Sequence, residues 1–202
     1  MHFFGWLGMS WSWSRPLFVA LTPLNLIVSA YFLTRFQVTH GAERLRFWRF
    51  FGLAAGVGYL VEVLGVQTGL IFGAYTYGDV LGWKILGVPP LIGLNWAVLT
   101  IVCGTLIDRL PFGNGIKSGL TATALMLMDM LIEPIAVHFG WWTWAAPEIP
   151  VQNYVAWFLI ALGLAHLFFR SDFSKQNPFA LFLLIGQVFF FIALNLRLLF
   201  IS

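Results

Sequence analysis

The stretch TATALMLMDMLIEPIAVH at residues 121–138 decides the fold, because it has the apolarity of a membrane helix and yet contains two carboxylates. Asp129 and Glu133 are four residues apart, so a helix places both side chains on one face, about 5–6 Å apart. Two negative charges this close are costly outside water, so we expect one carboxyl group to keep its proton. Ionisable groups at membrane depth are usually functional, and this pair is predicted to be a proton donor. The alternative is a structural pair hydrogen-bonded to a neighbouring helix.

The composition of the whole chain places this helix in a membrane. Of the 202 residues, 60% are hydrophobic and 9% are charged, and the mean hydropathy is +0.86. Such values exclude a soluble globular domain. Because a span needs about 20 residues, the chain has room for about six spans. We therefore predict an all-α polytopic membrane helical bundle that forms a single domain over residues 1–202.

Six apolar segments with short loops between them are predicted to be the transmembrane helices. They are residues 16–36, 47–66, 91–107, 115–139, 151–169 and 178–201. Residues 1–14 are aromatic and too short to span, which predicts a segment lying at the membrane interface. Residues 67–90 are interrupted by glycines, so they are predicted to form a re-entrant or lid loop between the second and third spans.

The loop charges predict the orientation of the protein. Loops one, three and five hold eight of the eleven lysines and arginines, and the other side holds Arg15, Lys84 and Arg197. By the positive-inside rule both termini lie outside the cytoplasm, in a multi-pass protein of the cell inner (plasma) membrane. These few charges indicate topology, and nucleic acid is excluded as a partner. The single cysteine, Cys103, excludes an intrachain disulfide and a thiolate metal site.

Polar residues of the spans and loops are expected to meet in one leaflet. In the predicted topology six of them fall at the outer side, and inverting the topology moves all six together. They are Glu62, Asp79, Asn95, Asp129, Glu133 and Asn153. Scattered structural polar residues would not share one leaflet, so a single site is predicted.

A weak internal repeat leads to the same prediction. The order acid, aromatic loop, proline, asparagine, tryptophan occurs twice, with different spacings. The first copy is Glu62, a loop, residues 88–90, Asn95 and Trp96, and the second is Glu133, residues 140–144, Pro150, Asn153 and Trp157. A pseudo-two-fold axis along the membrane normal would bring the two acids to one cleft.

Three kinds of side chain are predicted to meet in this cleft, namely carboxylic acids, asparagine amides that orient water, and aromatic rings that stabilise a cation. This set suits the protonation of an alkene. The aromatic candidates are Tyr75, Tyr77, Trp96, Trp144 and Trp157, for which an interfacial belt is the alternative explanation. No metal or other cofactor is expected, because Glu133 and His138 lack the Glu-x-x-His spacing of carboxylate-bridged metals and no glycine-rich phosphate loop occurs.

At these residues the sequence resembles the membrane carotenoid hydratases, the family of the gamma-carotene and bisanhydrobacterioruberin hydratases. The resemblance covers residues 47–157, over half of the chain, and its motifs lie in three places. They are EVLGVQTG at 62–69 with GAYTYG at 73–78; GVP at 87–89 with Asn95-Trp96; and Asp129 with Glu133-Pro134, WTW at 142–144, Pro150, Asn153 and Trp157.

The resemblance implies addition of water to the terminal double bond of an acyclic carotenoid end group, without a redox or metal cofactor. Its implied partners are a carotenoid substrate within the bilayer, water, the lipid membrane and other carotenoid-pathway enzymes. A neutral acid of the Asp129/Glu133 pair would protonate the alkene, and water held by Glu62 with Asn153 or Asn95 would capture the tertiary cation.

The assignment of acid and base among the carboxylates and the type of function stay open at the sequence level. Asp79 would close the site from its loop. A carotenoid cyclase would begin with the same protonation but exclude water, and a non-catalytic carrier of a hydrophobic molecule would use the acids as a proton relay.

Overall fold

The computed structural model describes residues 2–201, which form a bundle of helices and one small sheet. The helices are α1 His2–Ser10, α2 Arg15–Ala20, α3 Thr22–Arg35, α4 Glu43–Thr68, α5 Pro90–Ile107, α6 Asn114–His138, α7 Val151–Arg170 and α8 Pro178–Ile201. The strands are β1 Tyr75–Tyr77 and β2 Trp142–Trp144. The predicted membrane helical bundle is confirmed. Met1 and Ser202, which the predicted domain includes, lie outside the described residues.

Five helices in the described part of the chain, α4 to α8, are long and apolar enough to cross a membrane. They coincide with the second to sixth predicted spans. The first predicted span differs, because residues 16–36 form two helices, α2 and α3, which meet at Leu21. The 14 residues of α3 extend about 21 Å at 1.5 Å per residue, less than the hydrocarbon thickness of about 30 Å. The predicted count of six spans is therefore not reached by continuous helices.

Helix α5 lies at the centre of the bundle and packs against α3, α4, α6, α7 and α8. Its middle is buried on all sides, including Trp96, Leu99, Ile101 and Val102. A helix that is apolar around its whole circumference is expected to be buried in this way. Helix α6 continues through Pro134 to His138, so the acidic face of the quoted stretch lies on one uninterrupted helix.

The two outer loops are joined by the sheet. Strands β1 and β2 pair antiparallel, with Tyr75 opposite Trp144 and Tyr77 opposite Trp142. Gly78 follows β1 at a point where a Cβ atom would lie 2.1 Å from the carbonyl oxygen of Gly140. Only glycine therefore permits the two loops to approach this closely. The predicted lid between the second and third spans is thus one half of a cover that both loops build together.

The N-terminal helices lie against the end of the bundle that carries this cover. Helix α1 packs on α8, where the position of a Gly5 Cβ lies 3.2 Å from the Phe190 ring. Trp11 and Trp13, in the link to α2, are exposed. Tryptophan is enriched at the membrane boundary, and the interfacial position of residues 1–14 stays a prediction.

Candidate active site

A cavity of about 360 Å³ lies beneath the two-stranded sheet. One end is polar and contains Glu62, Asn95, Asp129, Glu133 and Asn153. The rest is apolar and is lined from α1, α2, α3 and α8, with side chains that include Met9, Phe18, Leu26 and Phe190. A mostly apolar cavity with a few convergent polar groups is the usual form of a site for a hydrophobic ligand.

Glu62, from α4, is held as a hydrogen-bond acceptor on both oxygens. Its Oε2 accepts from the hydroxyls of Tyr75 at 2.5 Å and Tyr77 at 2.7 Å, and its Oε1 accepts from Trp96 Nε1 at 2.9 Å. The alternation of side chains along β1 places both tyrosines on the same face of the strand. Three hydrogen bonds donated to its two oxygens are the pattern that an ionised carboxylate accepts.

The two tyrosines remain donors in this arrangement. Burial and the charge of Glu62 raise the pKa of Tyr75 above its ordinary value, and the same two causes raise the pKa of Tyr77. Both hydroxyls therefore keep their protons at any physiological pH. Their role is to orient Glu62 and to neutralise part of its charge by hydrogen bonding.

Glu133, from α6, is held in the same manner by the other strand. Its Oε2 accepts from Trp142 Nε1 at 3.0 Å and from Trp144 Nε1 at 2.9 Å. Indole nitrogens can only donate, so this oxygen must act as an acceptor. Each strand of the sheet thus supplies two donors to the carboxylate of the span that precedes it.

Asp129 has fewer hydrogen-bond partners than the other two carboxyl groups of the cavity, Glu62 and Glu133. Asn153 Nδ2 donates to its Oδ2 at 2.7 Å and lies 3.4 Å from Glu133 Oε1, so one amide links the two acids. The other oxygen, Oδ1, is buried and has no hydrogen-bond partner within residues 2–201. Asp129 is 1% exposed. A buried oxygen with no donor is the favourable place for a proton, because the neutral form has the smaller cost of burial.

Two tryptophans from neighbouring helices stack at the floor of the site. The rings of Trp96 and Trp157 lie 3.9 Å apart at an interplanar angle of 16°. Tyr75 lies against Trp144 with ring centroids 5.0 Å apart. These rings surround the carboxylates with π faces and indole donors while contributing no acidic group.

Comparison with known proteins identifies the family. A family profile described as "Carotenoid biosynthesis protein" matches residues 16–201. The chain belongs to this carotenoid biosynthesis family. No solved structure matches it.

A curated relative of this carotenoid biosynthesis protein is the bisanhydrobacterioruberin hydratase of Haloarcula japonica. The two are 34% identical over 128 residues, which cover 59% of this chain and 43% of the relative. The match therefore spans less than half of the length of that hydratase. The membership predicted from the motifs at residues 62–78, 87–96 and 129–157 is confirmed.

The structure brings together ten of the eleven site residues that the sequence predicts for this family member. Nine of them line the cavity, namely Glu62, Tyr75, Tyr77, Asn95, Asp129, Glu133, Trp144, Asn153 and Trp157, and Trp96 bonds to Glu62 from α5. Asp79 is not among them. Its side chain is 96% exposed and pairs with Lys84, 2.8 Å from Nζ to Oδ1, outside the cavity lining.

Two features of the site were not predicted. Trp142 donates to the same oxygen of Glu133 as Trp144 does. The alternating patterns Tyr-Thr-Tyr and Trp-Thr-Trp are the sequence signal that would have predicted this contact. The asparagines also differ. Asn153 binds the acids, whereas the side chain of Asn95 lines the cavity and forms no hydrogen bond with any residue that the structure describes.

No group of three or more His, Cys, Asp or Glu side chains within residues 2–201 is arranged to hold a metal ion. Every oxygen of Glu62 and one oxygen of Glu133 already accept hydrogen bonds from tyrosine or tryptophan. A carboxyl group that lines an apolar cavity can exchange a proton with a molecule bound there.

Proposed function

We propose that this protein is a carotenoid hydratase of the plasma membrane, which adds water to the terminal double bond of an acyclic carotenoid end group. The observation that carries the proposal is the unequal bonding of the carboxyl groups that share one cavity. Glu62 is held by donors on both oxygens, whereas Asp129 has a buried oxygen with no partner. The hydratase activity named for the relative from Haloarcula japonica supports the same reaction class.

Asp129 is the proposed general acid. Its Oδ1 carries the proton and transfers it to the alkene carbon that bears a hydrogen, so that the positive charge develops on the neighbouring carbon with two methyl groups. Asn153 keeps Asp129 and Glu133 side by side. The negative charge that remains on Asp129 after transfer lies next to the cation it has produced.

The fixed anions and the aromatic rings stabilise this tertiary cation. Glu62 and Glu133 are oriented by their donors before the reaction begins, so no reorganisation is needed as charge develops. Their effect is strong because the site is buried and its dielectric constant is low. The stacked rings of Trp96 and Trp157 add π faces that attract a cation.

Asn95 and Glu62 are the proposed water site. The side chain of Asn95 lines the cavity and has no protein partner among the described residues, so its amide is available to hold a water molecule. Water adds its oxygen to the cation and releases one proton to Glu62. This proton then returns to Asp129 through water in the cavity. One proton is consumed and one is released, so both carboxyl groups are restored with no other reactant.

The test is expression of the chain in a host that accumulates an acyclic carotenoid, followed by chromatography and mass spectrometry of the pigments. A hydratase gives a more polar product whose mass increases by one water. An isomeric product of unchanged mass with a ring would assign the protein as a cyclase instead. Unchanged pigment together with proton-coupled uptake in vesicles would favour a carrier. The Asp129→Asn variant is the inactive control.

A further inference from the structure

A second recess lies on the outside of the bundle, where the link between α1 and α2 meets the end of α8. We define this headgroup groove by its lining residues, Ser10, Trp11, Ser12, Trp13, Arg15 and Arg197. It shares no lining residue with the carboxylate cavity. The two arginines come from opposite ends of the chain, yet the fold places both at one groove.

The charges of this groove are not compensated by the protein. Within residues 2–201 neither Arg15 nor Arg197 forms an ion pair, and the only side-chain hydrogen bond of the two is Arg15 Nε to the carbonyl of Met9 at 3.2 Å. Each guanidinium has five N–H donors, so most of these donors lack a protein acceptor. Two like charges at one site repel each other unless an anion lies between them.

A buried hydroxyl in the same groove also lacks a partner. Ser10 is 3% exposed, and its Oγ has no hydrogen bond to any described residue. A buried hydroxyl without a bond is unfavourable, so an unpartnered Ser10 that lines the groove indicates that a ligand with acceptor oxygens completes the site. Two guanidinium groups and a hydroxyl match the tetrahedral oxygens of a phosphate.

The depth of the groove indicates where this phosphate comes from. Arg197 lies 19 residues after Pro178, the first residue of α8, which places it roughly 28 Å along the helix axis at 1.5 Å per residue. This distance is close to the hydrocarbon thickness of about 30 Å. The exposed rings of Trp11 and Trp13 lie beside it, as expected at the level of the lipid headgroups.

We propose that the headgroup groove binds the phosphate of an anionic phospholipid. The lipid joins the α1–α2 link to α8 and so stabilises the wall of the carboxylate cavity that α1 and α2 form. The proposal does not depend on the reaction in that cavity. Lys84, the third basic residue on the outer side, pairs with Asp79 away from the groove and serves as the matched control.

The test uses the purified full-length chain in detergent, with phosphatidylglycerol, phosphatidylcholine or inorganic phosphate added. Phosphatidylglycerol is expected to be retained in native mass spectrometry and to raise the melting midpoint by about 2–4 °C. Arg197→Gln and Arg15→Gln each lose this shift and the retained lipid, whereas Lys84→Gln keeps both. Added salt weakens the shift, because the pairing is electrostatic and the groove is open to water.

Three results would overturn the proposal. An equal shift with phosphatidylcholine would mean that net negative charge is not recognised. An equal shift with inorganic phosphate would identify a free anion instead of a lipid as the ligand. A loss in Lys84→Gln as large as that in Arg197→Gln would mean that the lipid responds only to total charge. Arg197→Lys keeps the charge and retains at least part of the shift if the groove is the binding site.

Discussion

The first hairpin, α4–β1–α5, and the second hairpin, α6–β2–α7, are built alike but end in different chemistry. In each, the carboxylate near the end of the first helix accepts two hydrogen bonds from the strand that follows. Tyrosine hydroxyls serve Glu62, and tryptophan indoles serve Glu133. The second helix of each begins after an extended proline and carries a tryptophan seven residues later, and these two tryptophans stack on each other.

The difference lies one helical turn before each carboxylate. The second hairpin has Asp129 there, whereas the first has Gly58, where a Cβ atom would lie 2.4 Å from the Cβ of Trp96. Because this position is empty of side chain, Trp96 packs against α4 and donates to Glu62. One hairpin therefore holds its carboxyl group with donors on both oxygens, and the other adds a second, weakly bonded carboxyl group beside its own. Two copies of one scaffold thus present their carboxyl groups differently.

The largest expected effect comes from removing the acid that only the second hairpin has. Asp129→Asn keeps the shape of the side chain and an acceptor for Asn153, but an amide N–H is far less acidic than a carboxyl group and cannot protonate an alkene. General acid catalysis contributes about 10²–10⁴-fold, so turnover in a pigment assay should fall by roughly that factor. The melting midpoint in detergent should hold or rise, because a buried ionisable group is lost.

Glu133→Gln extends the same test to the neighbouring carboxylate, and it too is expected to remove most of the turnover. The matched control is Glu148→Gln, an exposed loop acid outside the cavity, which should keep the activity of the wild type. If the two helix variants lost activity only in proportion to folded protein, the pair would be structural.

A smaller loss is expected at the anion of the first hairpin. Glu62→Gln removes the charge that would stabilise the cation and accept the proton of water. It also places an amide N–H where the native carboxylate accepts three hydrogen bonds. Removal of one preorganised electrostatic contact costs about 10²–10³-fold in turnover. Stability should also fall by about 1–3 kcal/mol, because buried donors lose their acceptor. Parallel assays of turnover and melting separate this variant from Asp129→Asn, which should not lose stability.

Retention of full stability in Glu62→Gln would contradict the equivalence of the two hairpins at this position. It would mean that Tyr75 and Tyr77 find other acceptors, and that the hydrogen bonds to Glu62 do not determine their inward orientation.

Gly58→Ala probes the position where the hairpins diverge. The added Cβ would lie 2.4 Å from Trp96, so the packing of α4 on α5 must shift, at a cost of about 1–3 kcal/mol. Gly56→Ala, in the same helix with no atom within 4 Å of the new Cβ, is the control and should be neutral or stabilising, since alanine favours helix over glycine. Thermal unfolding in detergent measures both. Equal midpoints for the two variants would show that Trp96 is not confined by α4.

The five long helices were predictable because each is a continuous apolar run between charged or glycine-rich loops. The first predicted span was not, since the helix is interrupted at Leu21, two residues before Pro23, and hydropathy alone does not detect such a break. The sheet was missed because its strands have three residues each and pair between loops that are distant in sequence. Pairing of this kind depends on the packed helices and has no local signal.

The acids of the site were predictable for a different reason. A carboxylate in an apolar helix is conspicuous in any sequence, so Glu62, Asp129 and Glu133 were found without a structure. The sequence did not predict which of them donates a proton and which accepts one, because this depends on which carboxyl oxygens accept hydrogen bonds in the folded protein. The two asparagines illustrate the same limit. Asn95 lies six residues after Pro89 and Asn153 lies three after Pro150, so the two amides share a helix face but differ in position along it by about one turn.

The smallest effect is expected at Asp79, the one predicted site residue that neither lines the cavity nor bonds to a residue of the site. The hydrogen bond and charge of Lys84 hold the pKa of this carboxyl below its usual range. Such a group adds stability above its unfolded pKa, and the contribution is lost as the pH falls through the folded pKa. Because the pair is exposed, solvent screens it and the contribution is small. Asp79→Asn should therefore keep the turnover of the wild type, lower the melting midpoint slightly at neutral pH, and melt like the wild type once the pH is low enough to protonate Asp79.

The chemical change is the same as in Asp129→Asn, so the two variants compare one substitution in the loop of the first hairpin with one in the helix of the second. A loss of turnover in Asp79→Asn comparable to that in Asp129→Asn would mean that this loop moves over the cavity during the reaction and brings its carboxylate to the substrate.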